Sequence, residues 1–266
     1  SKDHLLNFLA RKDDKASGGR QLPQHFGDKD LRIVSQSSST GTQFLNAVGS
    51  ALTRKWEGQK EVVYVSSGEG TTSQGEFHEA LNWASREKLP VIFHIEDNEY
   101  AISVHKSEQT SGASVYSMVS GYQNLARFNI DGTDFFEANL AFEKAVERAR
   151  KGKGPAVIVS NVVRLLPHSS SDDPSVYRPA DEFDSWPGGD PIDRLRQHLI
   201  NNGDWDDKKN AALEKKIDAE VMAAYKEACT FGDLASGPYP PASTIFTEVY
   251  ETVPWHIQEQ REELGK

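Results

Sequence analysis

Residues 61–104 read EVVYVSSGEGTTSQGEFHEALNWASREKLPVIFHIEDNEYAISV, and the reading of this run decides the fold. Val62, Val63 and Val65 form a β-branched run that predicts a buried strand. Gly68-Glu69-Gly70 ends it in a tight turn, and Ser73 to Glu87 carries apolar residues at helical spacing. A second strand is expected over Val91–Ile95, ending in Glu96-Asp97-Asn98-Glu99-Tyr100. In a strand, helix, strand unit the carboxyl ends of both strands lie on one edge of the sheet. Glu69 and Asn98 therefore converge on that edge. A carboxylate and an amide oxygen suit a hard divalent cation that shares its shell with phosphate oxygens. The nearby helix start, with its backbone N–H groups and positive dipole end, suits the phosphates. A GxG after a strand is by itself an ordinary turn, so the weight rests on its pairing with Asn98, 29 positions later.

The chain has 266 residues, enough to bury a substantial core as one large domain or one domain with an appendage. Its 37% apolar and 26% charged content is that of a soluble globular protein, and no apolar run approaches the length of a membrane span. A net charge of −10 argues against general nucleic-acid binding, which needs a basic face. The single cysteine, Cys229, excludes an intrachain disulfide framework, fits a reducing compartment and reads as a helix-face residue rather than a nucleophile. The chain opens at Ser1 without an initiator methionine or a recognisable signal segment, the pattern expected of a fragment.

Outward from the central run, Leu5, Leu6, Phe8 and Leu9 sit on one side of a short helix within residues 1–12. A turn-rich loop follows over residues 16–27, in which His25 reads as an exposed loop histidine, ligand contact being the rarer alternative. Leu31–Val34 reads as a short strand. The hydroxyl-rich run Ser35–Gln43 then leads into a helix over Phe44–Lys55; between a strand and a helix it reads as a ligand-facing loop more readily than as a plain one. Lys106–Tyr122 is a long loop or short helix. Ala126–Asp131 is a strand, Phe135–Lys151 an amphipathic helix with Phe142, Ala145, Val146 and Ala149 inward, and Ala156–Val163 a buried strand. Strands alternating with helices at this pitch predict an α/β fold with a mostly parallel sheet.

A second chemical stretch leaves the carboxyl end of that last strand: Arg164-Leu165-Leu166-Pro167-His168-Ser169-Ser170-Ser171-Asp172-Asp173-Pro174, continuing to Tyr177-Arg178. Taken bare it is a polar loop. Beside a phosphate site, Arg164, His168 and Arg178 make an anion-handling set, since the arginine fork matches phosphate and carboxylate. His168 can donate or accept a proton near neutrality. From Trp186 the character changes. Helices are expected over Pro191–Ile200, Asp206–Cys229 (with Leu213, Ile217, Val221 and Ala224 on one stripe), Ile245–Tyr250 and Trp255–Leu264, with no cluster suited to chemistry. The expected organisation is an α/β domain over 1–185 and a helical C-terminal extension over 186–266, packed on the sheet domain or on a partner.

Gly68-Glu69-Gly70 followed by Asp97-Asn98 resembles the thiamine-diphosphate signature. GEFHEALNWAS (75–85), NEYAISV (98–104), the run R-x-x-x-H-S-x-S-D-D-x-x-x-Y-R (164–178), DPIDRLRQHL (190–199) and FTEVYETVPWHIQEQREEL (246–264) resemble the alpha part of the 2-oxo acid dehydrogenases, the decarboxylating first component. The Glu of the turn is more similar to the branched-chain enzymes than to the pyruvate enzymes. The resemblance covers nearly the whole chain. It implies a thiamine-diphosphate-binding fold, with Mg²⁺ held by Glu69, Asn98 and the Tyr100 carbonyl, and cofactor contacts at Ser38, Thr40, Gly68, Gly70, Thr71, Ile102, Arg164 and His168.

Within that resemblance Ser38 makes a backbone contact to the aminopyrimidine and Thr40 stands at an apolar wedge, where some members have leucine. Ser37, Ser39, Thr42 and Gln43 align with a structural K⁺ site, with Ser39 in place of a proline. His168 falls next to the thiazolium as the catalytic residue, and Ser169 at a position phosphorylated in mitochondrial members. Asp172, Tyr177 and Arg178 belong to the same loop, in which Leu166-Pro167 departs from the family's Gly-His or His-Gly. A phosphate on Ser169 adds about two negative charges and repels the diphosphate. The family's Tyr-Arg pair that helps hold the cofactor has no equivalent here, its segment lying upstream of anything matched.

The resemblance implies oxidative decarboxylation of a 2-oxo acid with acyl transfer to a lipoyl group on a separate acyltransferase. The glutamate that activates the pyrimidine comes from a beta subunit, in an α2β2 assembly or a fused chain. Charge and hydropathy already point to no nucleic acid and no membrane as partners, and the expected compartment is the cytoplasm of a bacterium or the mitochondrial matrix of a eukaryote. The alternatives are a pyruvate or acetoin dehydrogenase alpha subunit, or a non-catalytic scaffold that keeps the fold.

Overall fold

The computed structural model describes residues 2–182, 186–232, 237, 241–247 and 250–265. They cluster into two compact units, residues 37–207 and residues 1–36 with 208–266. The expected boundary at residue 186 thus falls inside the first of these. The N-terminal segment joins the C-terminal helices instead.

The chain opens with α1 (Lys2–Phe8). In the unit of residues 37–207, α2 (Thr42–Trp56) precedes the strand β1 (Val63–Gly68), and α3 (Gly75–Glu87) leads to β2 (Val91–Asp97). A two-residue hairpin, β3 (Tyr100–Ala101) with β4 (Val104–His105), follows at once. Two single helical turns, α4 (Lys106–Gln109) and α5 (Val115–Met118), occupy the stretch expected as a long loop or short helix. Then come β5 (Ala126–Asp131), α6 (Phe135–Arg150), β6 (Ala156–Asn161) and α7 (Pro191–Asn201).

The sheet is parallel throughout in the order β1-β2-β6-β5. Gly68 is paired with Glu96, and Asp97 and Asp131 each with Asn161, so all four carboxyl ends lie level. This is the α/β sheet that alternating β-branched runs and amphipathic helices dictate. Its faces are filled separately. Phe44, Ala47, Val48, Phe77, Leu81, Phe93 and Ile95 pack on one side, where α2 and α3 lie, and Ile92, Ile130, Ala141, Ala145 and Ile158 on the other under α6. The alternation of Ile92 and Phe93 to opposite faces is the period of two expected of a strand covered on both sides. As expected, Ala145 and Ala149 of α6 are buried, and Phe142 and Val146 pack at the edge of the core.

Three expectations differ. Leu31–Val34 is not a strand: Asp28 and Ile33 make an isolated bridge, Arg32 has φ +57°, and Leu31 and Val34 are exposed, so the apolar run is spent on a turn. Ile245–Tyr250 is instead a 3₁₀ turn over Ala242–Phe246, the rest of that stretch falling partly outside the described residues. In α1, Leu6 is buried but Phe8 is exposed, so the inward face is narrower than its spacing suggested.

In the unit of residues 1–36 and 208–266, Asp14 is buried and accepts hydrogen bonds from Asn7 Nδ2, Ser17 Oγ and the Ala16 and Ser17 N–H groups. Burial would raise its pKa, but these bonds outweigh that and hold it below the ordinary carboxylate value. The helix α8 (Asp207–Cys229) buries Ala224 and Ala228, while Leu213, Ile217 and Val221 of its stripe stay exposed. The last helix is α9 (Trp255–Glu263). Among the described residues no helix is long and apolar enough to cross a membrane.

Candidate active site at the carboxyl edge of the sheet

The chain does not pass from β1 straight into α3. Glu69–Ser73 form a 3₁₀ turn, so the helix begins at Gly75 rather than at Ser73. This turn draws the Glu69 side chain inward, leaving it 1% exposed. Its Oε2 accepts the Asn98 N–H at 3.1 Å, and its Oε1 is buried with no partner. Burial pushes the Glu69 carboxyl up to about 7 against the opposing pull of the Asn98 N–H. The two strand ends meet as expected, but carboxylate meets backbone amide. The Asn98 Oδ1 meanwhile accepts the Tyr100 N–H at 3.2 Å and shapes the turn that follows β2. Glu99 in that turn has φ +71°.

Gly68 and Thr71 are half-buried beside this turn, and Thr72 Oγ1 donates to the Glu69 carbonyl at 2.7 Å. Gly70 is required by close approach: a Cβ there would stand 2.7 Å from the Ala101 Cβ of the hairpin. Ile102 has φ +57° and an exposed side chain, but its carbonyl accepts Arg164 Nη2 at 2.9 Å.

Arg164 ties the second chemical stretch to the first. Its Nη2 also bonds the Tyr177 hydroxyl and lies 3.8 Å from Asp172 Oδ2, and its guanidinium stands 5.8 Å from the centres of the Tyr100 and Tyr177 rings. Arg164 Nε and Nη1 are buried without a hydrogen-bond partner. Asp172 Oδ2 accepts the Tyr177 hydroxyl and the His168 N–H, each at 2.8 Å. The His168 N–H heads the causes that hold the Asp172 carboxyl below its ordinary value. His168 itself stands on the exposed part of the loop, as does Ser169, whose Oγ lies 3.2 Å from Ser171 Oγ. Arg178 departs from its expected anion-handling role: its fork is engaged by Glu182 and by the Arg164 carbonyl, and it stacks 5.5 Å from the Tyr100 ring centre.

Among the described residues no group of three or more His, Cys, Asp or Glu side chains is placed to hold a metal ion. A cation at this edge would rest on one carboxylate, neutral amide and carbonyl oxygens, and oxygens of a bound ligand, a shell suited to Mg²⁺. The unpartnered Glu69 Oε1 fits the cation and the unpartnered Arg164 donors fit an anion.

The family profile described as Dehydrogenase E1 component matches residues 1–234. The chain belongs to that family. It is 37% identical over 263 residues to the 2-oxoisovalerate dehydrogenase subunit alpha of Pseudomonas aeruginosa, covering 99% of this chain and 64% of that protein. It is 38% identical to the Bacillus subtilis subunit of the same name, covering 94% of this chain and 74% of that one. With the mitochondrial subunit of Homo sapiens the figures are 35%, 93% and 54%. The chain thus spans only part of the length of these relatives. Among solved structures, a putative thiamin diphosphate-dependent enzyme from Mycobacterium smegmatis is 24% identical over 50% of this chain and 24% of that one, with a TM-score of 0.39.

In this member of the E1 component family the loop before α2 also reaches the edge. Gly41, φ +98°, lies where a Cβ would stand 2.9 Å from Gln74 Cβ and 3.8 Å from Thr71 Cγ2, which brings the hydroxyl-rich run against the 3₁₀ turn. Ser37 Oγ and Thr42 Oγ1 are 2.5 Å apart, one donating to the other, and each lies 3.1 Å from the Ser39 carbonyl. Gln43 turns away from them to accept the Gly41 N–H at 3.0 Å. Ser38 and Thr40 are exposed on this loop. His25 is half-buried, with Nδ1 3.2 Å from the Pro23 carbonyl.

Sequence reasoning passed over Gly41, Lys106 and Gln109. Only Gly41 carries a signal, a glycine closing a hydroxyl-rich run before a helix.

Proposed function

We propose that this chain is the alpha part of a thiamine-diphosphate-dependent 2-oxo acid dehydrogenase that decarboxylates a branched-chain 2-oxo acid. The acyl group passes to a lipoyl group on a partner acyltransferase. The substrate assignment is supported by likeness to relatives named 2-oxoisovalerate dehydrogenase subunit alpha. The observation that carries the cofactor assignment is the buried, unpartnered Glu69 Oε1 at the level of the Asn98–Tyr100 turn.

In this reading Glu69, Asn98 and the Tyr100 carbonyl hold Mg²⁺. Arg164 and the N–H groups of the Glu69–Ser73 turn receive the diphosphate, with Gly68, Gly70 and Thr71 keeping the backbone close. Ser38, Thr40 and Ile102 meet the rest of the cofactor, and Ser37, Ser39 and Thr42 hold K⁺. When bound, thiamine diphosphate supplies the electron sink that decarboxylation of a 2-oxo acid requires. This chain's own part is to hold and polarise. Glu69 brings a negative charge to the cation in a buried setting where it acts strongly. His168 holds or gives up a proton at its imidazole nitrogens, with its backbone fixed by Asp172. The beta part supplies the missing general base, in an α2β2 assembly or a fused chain. The compartment is the bacterial cytoplasm or, for a eukaryotic source, the mitochondrial matrix.

Titration of the α plus β complex with thiamine diphosphate and Mg²⁺, followed by tryptophan quenching, tests the cofactor assignment. Saturable quenching is expected, weaker without the beta partner. Its absence in both cases favours a scaffold. Faster decarboxylation of 3-methyl-2-oxobutanoate than of pyruvate is expected, and the reverse order overturns the branched-chain assignment.

A further inference from the structure

The single helical turn α4 touches both loops that carry the site. Lys106 Nζ lies 2.9 Å from Glu99 Oε1 and 3.4 Å from Asp97 Oδ2, the two acids that flank Asn98, and the Lys106 N–H donates to the Glu99 carbonyl at 2.8 Å. The Asp97 side chain is 4% exposed and that of Lys106 17%, so the pair is screened from water. Three positions on, Gln109 Nε2 donates to the Gly70 carbonyl at 2.7 Å and to Ser73 Oγ at 3.1 Å, at the two ends of the 3₁₀ turn that begins with Glu69.

We propose that α4 is a brace that sets the spacing of Glu69 against the Asn98–Tyr100 turn, with Lys106 and Gln109 as positioning residues for the cation and cofactor; this rests on the function proposed above. The two loops come from different strands and, among the described residues, meet through the Asn98 N–H to Glu69 Oε2 bond and the close approach of Gly70 to Ala101. The turn holds Glu99 at φ +71° and sets two carboxylates beside one asparagine, a strained and like-charged arrangement that a cation and a further backbone bond stabilise. Lys106 sets one positive charge between the two carboxylates, offsetting part of their repulsion, and fixes the turn through its own backbone bond. Gln109 fixes the facing turn from the same rigid helical step. Mg²⁺ demands near-ideal oxygen spacing and Ca²⁺ tolerates a looser one, so a brace of this kind favours the smaller ion.

Amide hydrogen exchange in the full chain with its beta partner, before cofactor is added, reads the brace directly. Lys106→Ala and Gln109→Ala are each expected to speed exchange of the Asn98 amide by about tenfold or more, leaving Phe93 in the middle of β2 within about twofold, and Lys106→Arg to restore most of the protection. Thiamine-diphosphate quenching titrated with Mg²⁺ and then Ca²⁺ is expected to show the Mg²⁺ preference falling at least about threefold in both alanine variants. Unchanged Asn98 exchange overturns the proposal, as does exchange that quickens equally at Phe93, which marks general loosening. A wild-type complex that binds no thiamine diphosphate overturns the cofactor assignment, and the exchange measurement still decides whether α4 braces the loops.

Discussion

The Asn98 N–H donates to Glu69 Oε2 at 3.1 Å, and Glu69 Oε1 is buried without a partner. With its carboxyl pushed up to about 7, Glu69 keeps its proton in the folded chain over a range where the unfolded chain has lost it. A carboxyl whose folded pKa is raised contributes no penalty below its ordinary value near 4.5, and destabilises increasingly as pH rises to about 7. The loss is on the order of 3 kcal/mol for this group. Glu69→Gln is therefore expected to stabilise the cofactor-free protein at pH 8 and to leave it nearly unchanged at pH 4.5, while abolishing Mg²⁺-dependent binding of thiamine diphosphate. Urea midpoints of both proteins between pH 4.5 and 8 check this. Parallel curves would show that the carboxylate is not held in a dry environment.

Gly70 faces Ala101 across a gap that admits no side chain. Gly70→Ala puts a methyl group 2.7 Å from the Ala101 Cβ, and the hairpin and the Glu69 turn must separate. The expected cost is about 1–3 kcal/mol of stability, with weaker cofactor binding. Adding Ala101→Gly makes room and should recover most of both. Urea unfolding of the two single variants and the double variant measures it, and additive losses would mean that the two residues do not meet.

Asp172 gathers the His168 N–H, the Tyr177 hydroxyl and the Arg164 guanidinium. Asp172→Ala should release the segment between them. Limited proteolysis is expected to cut between Leu165 and Ser171 at least about fivefold faster, with a smaller increase for Tyr177→Phe, which leaves the carboxylate in place. Equal cleavage of wild type and Asp172→Ala would deny Asp172 this role.

The sheet was legible because its strands are short β-branched runs and its helices keep a clean apolar period. Ala126–Asp131 appears where its residues predict it, and the strand expected over Val91–Ile95 runs two residues further, to Asp97. That Glu69 and Asn98 meet was legible for the same reason, since parallel strands bring their carboxyl ends level. What they exchange was not: the carboxamide is drawn into its own turn, a choice made by backbone dihedrals that no spacing encodes. The four residues of α4 are too short for periodicity, and Gln109 reaches Gly70 across 39 positions of chain. Leu31–Val34 failed for the opposite reason, an apolar run placed in a turn and left in solvent.

Ser37 Oγ, Thr42 Oγ1 and the Ser39 carbonyl stand within 3.1 Å of one another, ahead of the glycine that packs on the Glu69 turn. In the function proposed above these three oxygens hold K⁺, and with no carboxylate among them they are a poor match for a hard divalent ion. An ion binding here stabilises only the folded chain, by about 1 kcal/mol when its concentration is several times its Kd. For a chain of this size that is roughly 2–4 °C in thermal midpoint. Potassium chloride should therefore raise the midpoint above that in sodium chloride at equal ionic strength. The difference should vanish in Ser37→Ala and in Thr42→Val, each of which removes one of the oxygens. Identical midpoints for the wild type in the two salts would remove K⁺ from this loop.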